Sequence, residues 1–147
     1  MLRIIVAGML SLLWAATALA ADRAKAAVDC KPAGEKFAYD CTIKLTNART
    51  AAAVDKAEVT VGADMPSMPM AHNVKPVTAK ATGKPGEYAA RLQLEMFGDW
   101  AVRLKIEGAL RDQLVQMKNF SDKGSGPPAR RAGAPGGGHK GSHKHGH

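Results

Sequence analysis

The chain has 147 residues, 46% of them hydrophobic, with 21 Lys and Arg against 13 Asp and Glu. That length fits one domain with a real core, and the apolar content excludes a chain disordered throughout. Two cysteines and 5% aromatic residues exclude a disulfide-dense scaffold and an aromatic-rich core.

Residues 1–20 read as a secretory signal. Arg3 gives a positive start, Ile4 to Leu13 is a nearly unbroken apolar run, and Ala18-Leu19-Ala20 supplies a small-x-small cleavage pattern before Ala21. The competing reading is an uncleaved anchor, because Ile4 to Ala21 is about long enough for one short span. Membrane association is expected only in that case. The run fades into Ala and Thr, and charges follow at Asp22, Arg23 and Lys25, which favours cleavage and a periplasmic or secreted protein. Half of the net charge of +8 lies beyond residue 120, where Lys123, Arg130, Arg131, Lys140 and Lys144 face only Asp122. The body carries charges of both signs, so no nucleic-acid partner is expected.

In an oxidising compartment Cys30 and Cys41 are expected to pair. The bridge closes a short loop containing Pro32 and Gly34, and chain entropy predicts roughly 3 kcal/mol of stabilisation. A thiolate ligand or a redox pair is the competing reading, and the spacing does not give it a Cys-x-x-Cys.

The body reads as strands between turns. From Phe37 to Leu45 the chain alternates, with Phe37, Tyr39, Cys41, Ile43 and Leu45 on one side. No alternation follows over residues 47–55, which predicts a loop in preference to a helical turn. Ala57 to Val61 alternates over a shorter span, and Val74 to Ala79 is a weaker strand. Turn chemistry at Thr82 to Gly86 precedes a strand over Tyr88 to Leu94, and Trp100 to Ile106 is another. Leu110 to Met117 reads as a last strand or a short helix. Five to seven short strands in about 100 residues predict an antiparallel β-sandwich over residues 21–120. Residues 121–147 are Gly, Pro, Ser, Lys and His with almost nothing to bury, which predicts a disordered tail.

The segment Met65-Pro66-Ser67-Met68-Pro69-Met70-Ala71-His72 holds three of the five methionines beyond the signal. Its prolines exclude a helix interior and a central strand, leaving an edge strand or a loop held extended. Extended, Met68, Met70 and His72 share one side, while Met65 lies at the other parity and needs a turn to join them. Thioethers with one imidazole are a soft set that selects Cu(I). An exported protein gains from thioethers because thiolates there oxidise to disulfides. Met96 and Trp100 are candidate neighbours. The plainer alternative is that methionines fill an irregular end of the core.

Asp64 to His72, then Gly86-Glu87-Tyr88, then Leu94-Glu95-Met96-Phe97-Gly98-Asp99-Trp100-Ala101-Val102 together resemble the YtkA-like family and its FixH relatives. Those are small exported or membrane-anchored domains in which an MPxM-type loop precedes a G-x-Y strand and a GDW-type strand. The resemblance covers about Val54 to Ile106. It implies an immunoglobulin-like sandwich and an association with metal handling, chiefly copper. FixH proteins keep a membrane helix and are tied to cation-pump and oxidase assembly. The cleavable-looking signal departs from that pattern, and the cysteine pair and histidine tail lie outside it.

In the tail, His139, His143, His145 and His147 are candidate ligands that would hold Cu(II), Ni(II) or Zn(II) weakly, since nothing preorganises them. A solvated cationic tail without a ligand is the alternative. No Ser elbow, His-Glu-x-x-His or phosphate loop is present, so no enzyme is expected. The expected function is Cu(I) binding or delivery at Met65, Met68, Met70 and His72, with a copper transporter or cuproenzyme as partner. The alternative is a non-catalytic interaction domain that uses the Met-Pro loop as a partner-binding patch.

Overall fold

Alternating apolar positions in this chain become antiparallel strands that bury one face each. The structure, a computed structural model, describes residues 22–69 and 73–129. Its strands are β1 (Ala24–Pro32), β2 (Ala38–Asn47), β3 (Ala57–Asp64), β4 (Asn73–Ala81), β5 (Glu87–Gln93), β6 (Gly98–Gly108), β7 (Asp112–Ser121) and β8 (Gly124–Gly126). No helix among the described residues is long and apolar enough to cross a membrane.

The strand order is β1-β2-β5-β4-β3-β6-β7-β8, with every pairing antiparallel. Two facing layers, β1-β2-β5-β4 and β3-β6-β7, reproduce the strand arrangement of a constant-type immunoglobulin sandwich. The finer architecture departs from two separate sheets. β4 pairs with β3 from Asn73 to Ala79, then gives only Lys80 and Ala81 to β5, so it joins both layers into one continuous sheet. Pro76 explains the irregularity in β4. It has no N–H for the ladder, and the register shifts there between Val61 and Ala63 of β3.

The core follows the sequence periodicity closely. Tyr39, Cys41, Ile43 and Leu45 of β2 are buried, as are Trp100, Val102, Leu104 and Ile106 of β6. Cys30 and Cys41 stand directly opposite each other in β1 and β2 and form a disulfide. Leu110 to Met117 lies in β7 and the turn before it, so the strand reading holds and the helix does not. Residues 48–56 form a loop closed by an isolated bridge between Thr46 and Ala53.

Among the described residues β1 has one strand partner, and its other edge is met by side chains of β7 and β8. Asp112 Oδ2 accepts from the Ala24 amide at 2.9 Å, and Gln116 Nε2 donates to the Ala26 carbonyl at 2.6 Å. Ser125 Oγ accepts from the Cys30 amide at 2.9 Å. An unpaired edge would otherwise offer backbone donors and acceptors to other chains. Tyr39 adds a further tie, donating to the Ser121 carbonyl at 2.8 Å and meeting the Phe120 ring edge-on at 4.8 Å.

The domain therefore continues beyond Phe120, where composition had placed its end. Ser121 still pairs with Gly124, and β8 packs on β1. Composition misses this because Gly124-Ser125-Gly126 contributes backbone and one hydroxyl, with no apolar side chain. Gly124 has φ +114°, and a Cβ there would lie 2.6 Å from the Cys30 carbonyl oxygen. Gly124→Ala is accordingly expected to destabilise the domain by roughly 2–4 kcal/mol in urea unfolding, combining strain with overpacking. Gly126→Ala meets nothing within 4 Å, and is expected to stay within about 0.5 kcal/mol of wild type. Equal stability of the two variants would contradict closure through β8.

Candidate functional site

The methionine segment lies at one end of the sandwich. The same end receives the β1–β2, β5–β6 and β7–β8 turns, because β3 finishes there as β6 begins. Asp64, the last residue of β3, pairs with Ala101 of β6. The expected neighbourhood of the methionine loop and the 96–100 turn is thus set by topology.

The segment is a turn over residues 65–69, which corrects the extended conformation expected from the prolines. The Met68 amide donates to the Met65 carbonyl at 3.0 Å across Pro66 and Ser67. Proline in the second position of a four-residue turn sets the torsion such a turn needs. Met70 and His72 lie outside the described residues, as do His139, His143, His145 and His147.

The turn separates its two described methionines. Met65 is 4% exposed and belongs to the core, whereas Met68 is 38% exposed. Met65 Cε reaches the backbone of Gly98, where a Cβ would stand 3.5 Å from it. Trp100 is fully buried beside this turn, and its indole N–H donates to the Met96 carbonyl at 3.2 Å. Met96 is partly buried against the core. Met65 thus anchors the loop in the core, and Met68 is held out from it.

Aromatic side chains flank the same end. Phe97 is 47% exposed and packs edge-on against Phe37 at 4.8 Å, with Lys36 Nζ 4.9 Å from the Phe37 ring centre. Burial and the neighbouring Asp122 charge raise the Tyr39 hydroxyl above its ordinary pKa. Cys30 and Cys41 are bonded to each other, so neither offers a thiolate to a metal. Among the described residues no group of three His, Cys, Asp or Glu side chains is placed to hold a metal ion.

Two carboxylates that sequence reasoning left out stand near the loop. Asp64 Oδ2 accepts from both Nε and Nη2 of Arg103, while Asp64 Oδ1 is buried without a partner among the described residues. Asp99 lies within β6 and accepts from Asn119 Nδ2 at 2.8 Å and from the Ala129 amide at 3.0 Å. Adjacency of Asp64 to Met65 was the only sequence signal for the first; nothing local signalled the Ala129 contact.

A small antiparallel sandwich of immunoglobulin-like strand order, with a methionine-bearing turn at one end, defines the class of protein. The YtkA-like family profile matches residues 26–105, and the chain belongs to that family. Nothing among curated proteins or solved structures matches the chain.

The Ala129 amide and then the Asn119 amide hold the Asp99 carboxyl below its usual value of 3.8. A depressed pKa means that this contact is complete above the unfolded value and is lost as pH falls through the lower folded value. The Ala129 amide resonance is expected to stay constant from neutral pH down to about 4 and to move only below that. An inflection between pH 5 and 7 would contradict the contact.

Proposed function

We propose that this protein is an exported copper-handling domain that takes Cu(I) at its methionine turn and passes it on by ligand exchange. The observation that carries this reading is Met68, 38% exposed on a turn whose first residue is locked into the core. An apolar side chain held at the surface by a buried neighbour is poorly explained as packing. As a thioether it suits Cu(I), and Met70 and His72 follow it within four residues. Met65 is the anchor of the set, and Met96 lies on the adjoining turn, partly buried against the core. His139, His143, His145 and His147 form a secondary, weaker site for Cu(II), Ni(II) or Zn(II). A copper transporter or cuproenzyme is the partner that fits such exchange, and the periplasm is its compartment. Turnover is not part of this reading.

A second reading draws support from Phe97, 47% exposed at the same end. Exposed Phe and Met side chains together also suit an adaptable protein contact, which makes the loop a partner-binding patch.

Replacing Met68 and Met70 with Leu separates the two. Tight Cu(I) binding should be lost in competition with a chromophoric chelator, while stability changes by less than about 1.5 kcal/mol because volume is conserved. Removing residues 136–147 should abolish weak Cu(II), Ni(II) or Zn(II) binding and leave Cu(I) affinity nearly intact. Unchanged Cu(I) affinity in the double Leu variant would make the methionines packing or contact residues and favour the second reading.

A further inference from the structure

Three turns meet at the methionine end and leave a groove among them. The β1–β2, β5–β6 and β7–β8 turns enclose about 350 Å³, with Pro32, Phe37, Tyr39 and Phe97 as apolar walls and Glu35 and Asp122 also on the lining. That volume is at the small end for a binding site, enough for one or two side chains.

Backbone strain holds one wall in place. Phe37 has φ +61°, a left-handed conformation that a bulky residue adopts only where its surroundings impose it. Both flanking peptide groups are tied to the end of β5. Gln93 Nε2 donates to the Lys36 carbonyl at 3.0 Å, and the Leu94 amide donates to the Phe37 carbonyl at 2.9 Å. The Phe37 ring is thereby held half-buried against Phe97, which keeps 47% of its surface in solvent. The aromatic wall is preformed.

Charge restricts what fits against it. Lys36 also lines the groove, and its Nζ lies over the Phe37 ring. Glu35 and Asp122 form no ion pair among the described residues. Arg91, on which Glu35 acts through space, gives its Nε and Nη2 to Asp40. At the groove floor, burial first and the Asp122 charge second raise the Tyr39 hydroxyl. An aromatic wall beside two unpaired carboxylates suits a large apolar side chain next to a cation. The chain's own tail has cations but no such anchor, since residues 130–147 contain no Val, Ile, Leu, Met, Phe, Tyr or Trp. A second copy related by a two-fold axis at this groove would set Glu35 and Asp122 against the same carboxylates.

We propose that this groove docks a basic segment of another protein, which lays one aromatic side chain against Phe37 and Phe97 and sets a flanking Lys or Arg on Glu35 and Asp122. The proposal rests on the second reading in treating this end as a contact surface. It names the partner's chemistry and moves the contact from the methionine turn to the aromatic wall beside it.

The test titrates isotope-labelled, metal-free 21–147 chain with the peptide acetyl-Gly-Lys-Phe-Lys-Gly-amide and follows amide shifts. Docking predicts saturable shifts at Phe37, Phe97 and Asp122 and none at Thr60 or Arg103 on the outer face of β3 and β6. Affinity should be about tenfold lower for peptides with Ala in place of Phe or Glu in place of Lys, and about tenfold lower for Phe97→Ala. Asp122→Asn, which keeps the size of the side chain, should also weaken binding. Equal affinity for the three peptides, or for Phe97→Ala and wild type, would overturn the proposal. Groove amides that move with protein concentration alone would overturn it in favour of a second copy. Groove amides that move on removal of residues 130–147 would overturn it in favour of the tail. Saturable shifts confined to residues 65–69 would overturn the groove and leave the second reading standing. No copper is present, so Cu(I) affinity and docking succeed or fail separately.

Discussion

A strand at the end of a sheet has to dispose of its outer edge, and β1, paired among the described strands with β2, does so with side chains. Asp112, Gln116 and Ser125 meet the backbone of Ala24, Ala26 and Cys30. Strand-on-strand pairing would have demanded parallel or antiparallel register between β1 and β8; single side chains need only reach. The Asp112 carboxyl shows the balance of forces. Burial raises its pKa, and the amides of Ala24 and Gln113 with the Arg23 guanidinium lower it by more, so the net direction is down. The aspartate is therefore ionised at neutral pH and holds the strand as an anion, which makes its hydrogen bonds stronger than neutral ones.

That closure fixes what happens at the loop end. With β8 pressed on Cys30, the disulfide layer and the β6-β7 layer are joined by the chain itself, and the β7–β8 turn stays beside the β1–β2 turn. Tyr39 and Phe120 fill the space between them. Trp100 and Met65 fill the neighbouring space under the methionine turn. The turn then has no freedom at its base, and Met68 leaves from a fixed point. Preorganisation of this kind is what distinguishes a site from a flexible chain bearing the same side chains.

Strands that bury large residues at every second position were legible in the sequence: β2, β5 and β6 appear within a residue or two of where alternation puts them. β1 was not. Its buried positions are Ala24, Val28 and Cys30, and its other side carries Lys25, Ala27 and Asp29, so the contrast is weak and alanine favours strands little. β8 was illegible for a different reason, since its role depends on the absence of a side chain at Gly124. At the loop, the residue types were readable but their directions were not. Prolines suggested an extended run, whereas Pro66 supplies the torsion of a turn, and that turn sends Met65 inward and Met68 outward. Asp64 and Asp99 went unnoticed because their partners, Arg103 and Ala129, are 39 and 30 residues away.

On this account the soft donors at the turn, and not the imidazoles of the tail, make the tight site. Thioethers bind Cu(I) through sulfur and do not protonate, so the coordination sphere should report them directly. The decisive measurement is X-ray absorption at the copper edge on full-length chain loaded with one equivalent of Cu(I). The account predicts sulfur scatterers in the first coordination sphere, retained when residues 136–147 are removed. A sphere of nitrogen and oxygen alone would contradict it.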